Sequence, residues 1–391
     1  MGHYLIPALL LVATGYVYRS LYKAGQLRAG ARQPGEVVVI LGASSGIGRE
    51  LALQYAQRGA RLLLVARRQD RLRQLVQECT QCNPLSQVAY QVADLTSDTD
   101  LAQLSRALDT WLTDNDNDDK HTPIDTAILC AGVISVRPFV DLAYAADSLT
   151  TPTTSPTTST ATPKPSPWCL TPPTLIQARL PWVTARVRDL LNTNVTGLVA
   201  ATTVVLPRLG LAPAGRLLVV SSAAGKSGTP TRGLYAASKH ALHGFFDTLR
   251  MELAPTTRIS VCLVCPSTVD TELRNTAVDN QSDPNRPSSS PPNISATAEP
   301  VPNRQTLEEP SARADSDSQT TGLMPTTGSH PVPGSKRGKL SPQACAARII
   351  RAADNTVERE VYIPGYFAVV PWLQLICPAF VDRLARQKYG M

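Results

Sequence analysis

The sequence predicts an α/β fold, a doubly wound parallel sheet that forms a single domain with two disordered insertions. Three observations favour this class. Short, β-branched apolar runs lack the alternation of a half-exposed strand, which is typical of parallel strands buried on both faces. Helical patterns separate consecutive runs. A glycine-rich sequence joins the first run, which starts at Glu36, to a helix that ends near Gln57.

The composition narrows the choice of partners. The 391 residues carry a net charge of +7, which suits nucleic acid or an anionic membrane surface. Aromatic residues make up only 5% of the chain and no zinc-finger spacing occurs, so we expect no nucleic-acid partner. Cys79 and Cys82, like Cys262 and Cys265, have the spacing of zinc ligands. The second pair lies in a strand-like run, where residues three apart face opposite sides, and we therefore expect no metal.

Residues 1–35 are predicted to form a membrane anchor and a basic linker. The stretch from Tyr4 to Tyr18 carries no charge, and extension to Tyr22 past Arg19 by snorkelling brings it near spanning length. A cleaved signal peptide is the alternative, but no basic residue precedes the apolar run. Because basic residues follow the run, the remaining chain should face the cytosol.

The first strand, Glu36 to Leu41, leads into a glycine-rich loop that opens a helix. With a second strand at Arg61 to Ala66, this is a Rossmann-type βαβ unit, in which N–H groups at the helix start receive a dinucleotide pyrophosphate. The candidate cofactor contacts in this loop are Gly42, Ser44, Ser45, Gly46, Ile47 and Gly48.

The second strand ends without the acidic residue that would bind the ribose diol of NAD. Arg67 and Arg68 stand there instead and favour the 2′-phosphate of NADP; the alternative is that they begin a solvated helix. A third strand, Gln87 to Val92, leads to Asp94 and Leu95, which we expect near the adenine amine.

The next helix and strand bring a third set of small residues to the cofactor. A helix is predicted from Asp98 to Leu112, followed by a buried strand from Ile124 to Leu129. Cys130, Ala131 and Gly132 follow that strand, and their small side chains let the strand end pack against the cofactor.

Two segments rich in Ser, Thr and Pro, about 147–175 and 276–339, are predicted to be disordered insertions, because they cannot bury enough apolar surface to fold. Between them, helical periodicity runs from Trp182 to Leu206 and includes Asn194. An asparagine inside a helix is mildly unfavourable, so Asn194 either caps a kink or holds a water. The glycosylation sequon that begins there would be buried, and we discount it.

The strand Arg216 to Val220 ends near Ser222, and a helix predicted from Gly233 to Leu253 carries Tyr235 and Lys239. Residues four apart share one helix face, so the ammonium would lie beside the phenol. Lowering the phenol pKa from about 10 by about three units needs about 4 kcal/mol of differential stabilisation. The Tyr–Lys pair alone occurs by chance in many helices, so its interpretation depends on the dinucleotide loop upstream.

A strand from Arg258 to Val264, a helix from Pro342 to Ala353 and a strand from Glu360 to Ile363 complete the predicted catalytic domain, 36–365. The tail, 366–391, is apolar but broken by prolines, so a straight spanning helix is not expected. We predict a membrane-associated tail, with a packed C-terminal lid as the alternative.

The motif order resembles that of the short-chain dehydrogenase/reductase family, over about 36–363 apart from the insertions. The matching motifs are Gly42-x3-Gly46-x-Gly48, Cys130-Ala131-Gly132, Asn194, Ser222 and Tyr235-x3-Lys239. The residues before Lys226, those from Tyr235 to Arg250, and the apolar tail are similar to the dehydrogenase/reductase SDR family member 7B group.

The resemblance implies a role for each catalytic candidate. Tyr235 would be the general acid/base, and Lys239 would lower its pKa and hold the cofactor ribose hydroxyls. Ser222 would orient the carbonyl oxygen. Asn194 would hold a proton-relay water.

The resemblance also implies contacts near the nicotinamide. Val269 and Thr271 would meet its carboxamide, close to Pro266. Two residues depart from the family pattern: Cys130 stands where Asn is usual, and Ser267 stands where Gly commonly follows the proline.

The activity implied by the resemblance is NADP(H)-dependent interconversion of a lipophilic carbonyl and its alcohol, for example acyl- or alkyl-dihydroxyacetone phosphate. A steroid, retinoid or 3-ketosphinganine substrate on the same fold is one alternative. A non-enzymatic cofactor-binding scaffold, with the insertions as partner-binding arms, is another. We also expect a homodimer, and a membrane location at the endoplasmic reticulum with the catalytic domain in the cytosol.

Overall fold

The computed structural model describes residues 35–113, 122–144, 173–280, 339–355 and 359–389. The strands in these ranges are β1 Val37–Leu41, β2 Arg61–Ala66, β3 Val88–Val92, β4 Thr126–Leu129, β5 Arg216–Val220, β6 Ser260–Pro266 and β7 Glu360–Ile363. They form one sheet in the order β3-β2-β1-β4-β5-β6-β7, and each neighbouring pair is parallel. The prediction of a doubly wound parallel sheet is confirmed.

Helices cover both faces of the sheet. They are α1 Gly46–Gln57, α2 Gln69–Cys82, α3 Asp98–Thr113, α4 Phe139–Tyr144, α5 Pro173–Leu191, α6 Gly197–Leu209, α7 Gly233–Leu253, α8 Pro342–Asp354, α9 Val370–Ile376 and α10 Pro378–Tyr389. Successive strand side chains point to opposite faces, so Val38 and Ile40 pack with α1, α2 and α8, whereas Val39 and Leu41 pack with α3, α6 and α7. Burial on both faces explains why the strands read as continuous apolar runs.

The strand order reverses at β1, which pairs with β2 on one side and β4 on the other. A crevice opens at such a point beyond the carboxyl ends of the strands, and ligands of open α/β sheets bind there. Ser222, Pro266 and the glycine-rich loop all follow strand ends at this edge. The topology therefore gathers the candidate site residues on one side of the sheet.

Three helix and insertion boundaries differ from the sequence prediction. The helix before Asn194 begins at Pro173, not Trp182, because Pro is well tolerated at a first helical position. A π-helical turn, Asn192–Thr196, separates α5 from α6. Residues 276–280, assigned from composition to the second insertion, are folded and include a 3₁₀ turn, Val278–Asn280. The remaining parts of both insertions lie largely outside the described residues, at 145–172 and 281–338.

The C-terminal tail folds as a turn of 3₁₀ helix, Gly365–Val369, followed by α9 and α10, which pack on each other. The last two helices have 7 and 12 residues, short of the roughly 20 that a spanning helix needs. We call residues 365–389 the C-terminal hairpin.

One stretch among the described residues, Arg179–Leu209, is long and apolar enough to cross a membrane. It is interrupted by the π-helical turn, and 44% of its most apolar window is buried inside the fold. Its second half, α6, packs against the sheet. We interpret it as a core helix. The predicted anchor and basic linker, 1–35, lie outside the described residues except for Gly35.

Candidate active site

The glycine-rich loop has the backbone geometry that a dinucleotide cleft needs. Gly42 has a φ of 96°, and a Cβ there would lie 2.4 Å from the backbone nitrogen of Ala131. A Cβ on Gly48 would lie 2.2 Å from the Gly42 carbonyl oxygen. Side chains are thus excluded where the loop passes β4 and enters α1. The close approach leaves room for a ligand against the backbone.

The N-terminus of α1 is open to an anion. Its N-cap residue, Ser45, makes no side-chain cap hydrogen bond, and the first turn contains no acidic residue. The first N–H groups of a helix lack intrahelical partners and carry the positive end of the helix dipole. A pyrophosphate fits this donor set.

Arg68 reaches across to the glycine-rich loop. Its Nη2 donates to Ser44 Oγ at 3.0 Å and to Ser45 Oγ at 2.8 Å. Arg67 points to the neighbouring strand end, where its Nη1 lies 3.5 Å from Asp94 Oδ2. The two arginines therefore occupy different places, and Arg68 is the one that joins the serines of the loop.

Asp94 is engaged by its own loop rather than left open. Its Oδ1 accepts hydrogen bonds from the Thr96 backbone N–H at 3.0 Å and from Thr96 Oγ1 at 2.8 Å. Partial burial acts to raise the pKa of Asp94, but these bonds and the Arg67 charge outweigh it and lower that pKa. Asp94 is ionised at neutral pH and fixes the loop that carries Leu95.

A cavity of about 700 Å³ lies along this edge of the sheet. Nearly all sequence-predicted site residues line it: Gly42, Ser44, Ser45, Gly46, Ile47, Arg67, Arg68, Asp94, Leu95, Cys130, Ala131, Gly132, Ser222, Tyr235, Lys239, Pro266, Val269 and Thr271. Two predicted residues do not line it. Gly48 packs beneath Gly42, and Asn194 is buried behind Val133.

Ser222, Tyr235 and Lys239 converge at the centre of the cavity. Ser222 interacts with the Tyr235 phenol and acts to lower its pKa, and the Ser222 Oγ donates to the Pro266 carbonyl oxygen at 3.5 Å. Lys239 Nζ lies 5.7 Å from the Tyr235 ring centroid and donates to the Val220 carbonyl oxygen at 2.9 Å. The spacing on α7 thus places phenol, hydroxyl and ammonium around one point at the end of β5.

Burial is the largest influence on the pKa values of Tyr235 and Lys239. It raises the pKa of Tyr235 to about 12, against the opposing effects of the Ser222 hydrogen bond and the Arg232 charge. Burial also lowers the pKa of Lys239 to about 8. The direction for Tyr235 is opposite to the lowering expected from the sequence, because desolvation of the phenolate outweighs the effects of Ser222 and of the Arg232 charge. From protein groups alone, Tyr235 is a protonated acid at neutral pH.

Asn194 lies in the π-helical turn, a feature frequent at functional sites. Its Oδ1 accepts from the Val133 N–H at 2.8 Å, and its Nδ2 donates to the Val133 carbonyl at 2.9 Å and to Ser238 Oγ at 3.0 Å. Both amide hydrogens are used, so the side chain fixes the loop after β4 to α7, which carries Ser238. The sequence predicts that Asn194 either caps a kink or holds a water, and its position in the π-helical turn fits the first of these interpretations.

Cys130 packs at the end of β4 as the sequence analysis expects. Its N–H donates to the Leu41 carbonyl at 2.8 Å, and burial raises the pKa of its thiol to about 12. The neighbouring Gly132 would place a Cβ 3.2 Å from Asn194 Oδ1 and 3.6 Å from Lys239 Nζ. A small residue at 132 therefore keeps the strand end open beside the lysine.

The C-terminal hairpin lines the far end of the cavity, together with Leu273, Arg274 and Thr276. The apolar lining also includes Phe367, Val370, Leu373 and Leu384, and the cations at this end are Lys226, Arg232, Arg274 and Lys388. This lining fits the alternative expectation for the tail, a packed C-terminal lid. Nothing local in the sequence shows which face of the tail turns inward.

A buried polar cluster lies behind the catalytic strand end. Ser221 Oγ is 3.1 Å from His243 Nε2, and His243 Nδ1 is 3.5 Å from Glu360 Oε1. Burial acts to raise the pKa of Glu360, but hydrogen bonds from His243, Lys226 and Tyr362 lower it to about 2. His243 thus links α7 to Glu360 on β7, and Glu360 is also ion-paired with Lys226.

The cysteine pairs do not converge on a site. Cys79 is buried on α2 while Cys82 is exposed, and both Cys262 and Cys265 are buried along β6. Each of these residues is a free thiol.

Known proteins match this chain over most of the described fold. The family model for short chain dehydrogenases matches residues 36–149 and 182–282. Dehydrogenase/reductase SDR family member 7B of Xenopus tropicalis is 31% identical over 273 residues, 69% of this chain and 72% of that protein. The 11-beta-hydroxysteroid dehydrogenase-like 4A of Arabidopsis thaliana is 30% identical over 236 residues, and the match covers 60% of this chain and 62% of that protein, less than two thirds of its length.

Solved structures share the architecture at lower identity. A short chain dehydrogenase/reductase from Burkholderia phymatum in complex with NAD has a TM-score of 0.55 and 17% identity, over 89% of this chain and 95% of that one. An alcohol dehydrogenase from Thermococcus sibiricus complexed with 5-hydroxy-NADP has a TM-score of 0.51 and 17% identity, over 84% and 95% of the two chains. At this identity the likeness concerns the fold alone.

Proposed function

Because the chain belongs to the short-chain dehydrogenase/reductase family, whose members are NAD(P)-dependent oxidoreductases, we propose that it interconverts a lipophilic carbonyl and its alcohol with NADP(H). One observation supports this most strongly: Ser222, Tyr235 and Lys239 meet inside the cavity that the dinucleotide loop opens into. Gly42, the open N-terminus of α1 and Arg68 fit the cofactor at the other end.

The bound nicotinamide supplies the hydride, and the chain's residues supply position and a proton. Ser222 holds the carbonyl oxygen by hydrogen bonding. Tyr235 donates its phenolic proton to that oxygen as the carbonyl becomes an alcohol. Lys239, held on the Val220 carbonyl, stabilises the negative charge left on the phenolate. A pKa of about 12 for Tyr235 suits the direction of reduction, since the acid is protonated before the reaction.

Arg68 is the residue we assign to the 2′-phosphate. It donates to Ser44 and Ser45, so its guanidinium is already fixed beside the loop that approaches the adenosine ribose. Arg67 is paired with Asp94 and contributes charge at longer range. A bidentate guanidinium is well matched to a phosphate.

The lining of the far end favours a lipophilic substrate. Leucine, valine and phenylalanine side chains from the C-terminal hairpin cover that end. Cations that line it, such as Arg274 and Lys388, also admit a phosphate, as in acyl- or alkyl-dihydroxyacetone phosphate. A steroid, a retinoid or 3-ketosphinganine is the alternative, since each is apolar.

A carbonyl-substrate panel with NADPH and NADH side by side tests these proposals. We expect NADPH oxidation with at least one long-chain ketone and a preference for NADPH over NADH. Cofactor binding without oxidation of NADPH by any member of the panel would favour a cofactor-binding scaffold instead.

We also propose that the C-terminal hairpin contacts a membrane, together with the predicted anchor and linker at residues 1–35. Large apolar side chains on its outer face are exposed, including Trp372 at 63% and Leu375 at 78%. Exposed apolar surface of this extent on a short amphipathic segment suits an interfacial position. Sedimentation with vesicles checks this, and the location at the endoplasmic reticulum and the homodimer remain proposals that fractionation and light scattering test.

A further inference from the structure

Asp279 is a fully buried carboxylate, with an exposed fraction of 0%, and it lies behind the cavity-lining residues Ile134 and Tyr235. Its Oδ2 accepts hydrogen bonds from Ser135 Oγ at 2.9 Å and from the backbone N–H groups of Val136 and Arg137, each at 2.7 Å. One carboxylate oxygen thus holds a whole turn of the loop after β4. We call residues 135–137 the β4 turn.

The same turn is held from the opposite side by Arg232. Its Nη1 donates to the Val136 carbonyl at 2.8 Å and also to the carbonyl and hydroxyl of Thr231. Thr231 has a φ of 63°, an unusual and strained conformation for a β-branched residue. Such strain persists only where the surroundings impose it, and here it places the guanidinium against the turn.

The two contacts connect three segments that surround Tyr235. Arg232 is the N-cap residue of α7, which carries Tyr235 in its first turn. Ala277 and Val278, just before Asp279, pack in one apolar cluster with Ile134 and Tyr235. The Val278 N–H donates to the Ile134 carbonyl at 2.9 Å. The β4 turn, the segment after β6 and the catalytic helix therefore form one wall.

Charge supports this arrangement. Burial and the nearby Arg274 lower the pKa of Arg232, while Asp279 and Tyr235 act to raise it. Arg232 in turn opposes the rise in the Tyr235 pKa. A buried carboxylate without its donors would be costly, and so would the N–H groups of the turn without their acceptor.

We propose that Asp279 and Arg232 are positioning residues that clamp the β4 turn between them and so fix the substrate-facing wall relative to Tyr235. This inference rests on the proposed oxidoreductase function.

The test compares Asp279→Asn, Arg232→Gln and the double variant with wild type in the full chain. Asp279→Asn keeps the volume but gives the turn a neutral amide in place of a carboxylate. We expect each single variant to lower kcat/KM for the best ketone of the panel by about tenfold, while the Kd for NADPH stays within about twofold. The double variant should be little worse than the poorer single one, because both act through one turn.

Two further readouts separate positioning from simple loss of structure. Hydrogen exchange at the Val136 and Arg137 amides should accelerate in Asp279→Asn, and Ser135→Ala, which removes one of three donors, should show a smaller effect. Arg232→Gln should shift the pH profile of kcat upward in pH, since it removes a cation that opposes the high Tyr235 pKa. Asp279→Asn should shift it less. Glu252→Gln, an exposed change on α7, is the matched control.

Several results would overturn the clamp. If hydrogen exchange at the β4-turn amides accelerates in Asp279→Asn while kcat/KM stays within twofold of wild type, the turn does not position the substrate. A parallel loss of NADPH affinity and of thermal stability would reduce Asp279 to a structural role. If none of the panel ketones supports NADPH oxidation by the wild-type protein, the proposed function is contradicted instead. In that case, unchanged hydrogen exchange at the Val136 and Arg137 amides in Asp279→Asn would still contradict the clamp.

Discussion

The two halves of the cleft are built in different ways. The cofactor half, lined by residues 42–47, 66–68, 94–95 and 130–132, consists of short runs that follow neighbouring strand ends. The substrate half, lined by residues 226–235, 273–276 and the C-terminal hairpin, is assembled from segments far apart in the chain. Backbone geometry makes the first half, whereas side-chain packing makes the second.

This contrast has an energetic consequence. In the cofactor half, Gly42 and Gly48 leave no room for a Cβ, so the shape is fixed by the sheet and loop. In the substrate half, buried groups such as Asp279 and strained ones such as Thr231 hold loops together. We therefore expect changes in the cofactor half to act on NADPH affinity and changes in the substrate half to act on KM for the carbonyl.

The largest expected effect is at the boundary between the halves. Tyr235→Phe removes the proton donor but keeps the ring that packs with Ile134 and Val278. We expect kcat to fall by about a thousandfold or more, in the range that loss of a general acid and its electrostatic partner produces. Stopped-flow NADPH oxidation measures it. An unchanged Kd for NADPH, measured by cofactor fluorescence, is the required control. Turnover near the wild-type rate would contradict the assignment of Tyr235 as the proton donor.

The next effect tests the cofactor half. Arg68→Gln should weaken NADPH binding by about ten- to a hundredfold, because a charged hydrogen bond to phosphate is worth about 1.5–3 kcal/mol. NADH binding should change little. Arg67→Gln is the matched control and should cost less, since Arg67 lies beside Asp94. Titration of both cofactors into each variant measures the preference; a larger loss in Arg67→Gln would reverse the assignment.

A pair of leucines two residues apart on α9 tests the substrate half. Leu373 lines the cavity, whereas Leu375 is 78% exposed. Leu373→Ser should raise KM for a long-chain ketone in detergent by about fivefold or more, from lost apolar contact of 1–2 kcal/mol. Leu375→Ser should leave that KM unchanged and reduce sedimentation with vesicles. Equal effects of both changes on KM would mean that the two faces of the hairpin are not distinct.

The smallest expected effect on activity concerns Glu360. Its pKa is about 2, below the model-peptide value of 4.5, so the folded state binds fewer protons than the unfolded state as pH falls through this range. The stabilising contribution is present above pH 4.5 and is lost as the pH falls towards 2. Glu360→Gln should therefore lower the free energy of unfolding near neutral pH, and the difference from wild type should shrink below pH 4.5. Urea unfolding across this range checks the sign.

The local geometry of the cofactor half could be predicted from the sequence because its signals are local. Gly42 to Gly48 encode a turn and a helix start within a few residues, and Tyr235 and Lys239 share a helix face by spacing alone. Each strand of the sheet was also predicted to within about two residues of its end, since strands buried on both faces have continuous apolar runs.

The substrate half could not be predicted in the same way. Asp279 stands at the edge of a Ser-, Thr- and Pro-rich segment, so composition assigns it to the insertion, and only its three donors on the β4 turn show that it is folded. The pKa direction of Tyr235 was missed because burial of a phenol is a property of the assembled site. Contacts between distant segments leave no periodic signal in the chain.

The most direct test of the account is transfer of deuterium from NADPH that carries deuterium at both C4 positions to a ketone of the panel. We expect the wild-type protein to form an alcohol with one deuterium on the former carbonyl carbon, and Tyr235→Phe to bind the cofactor but form almost none. Mass spectrometry of the product measures both. An alcohol without deuterium, or equal labelled product from the two proteins, would contradict hydride transfer at a carbonyl assisted by Tyr235.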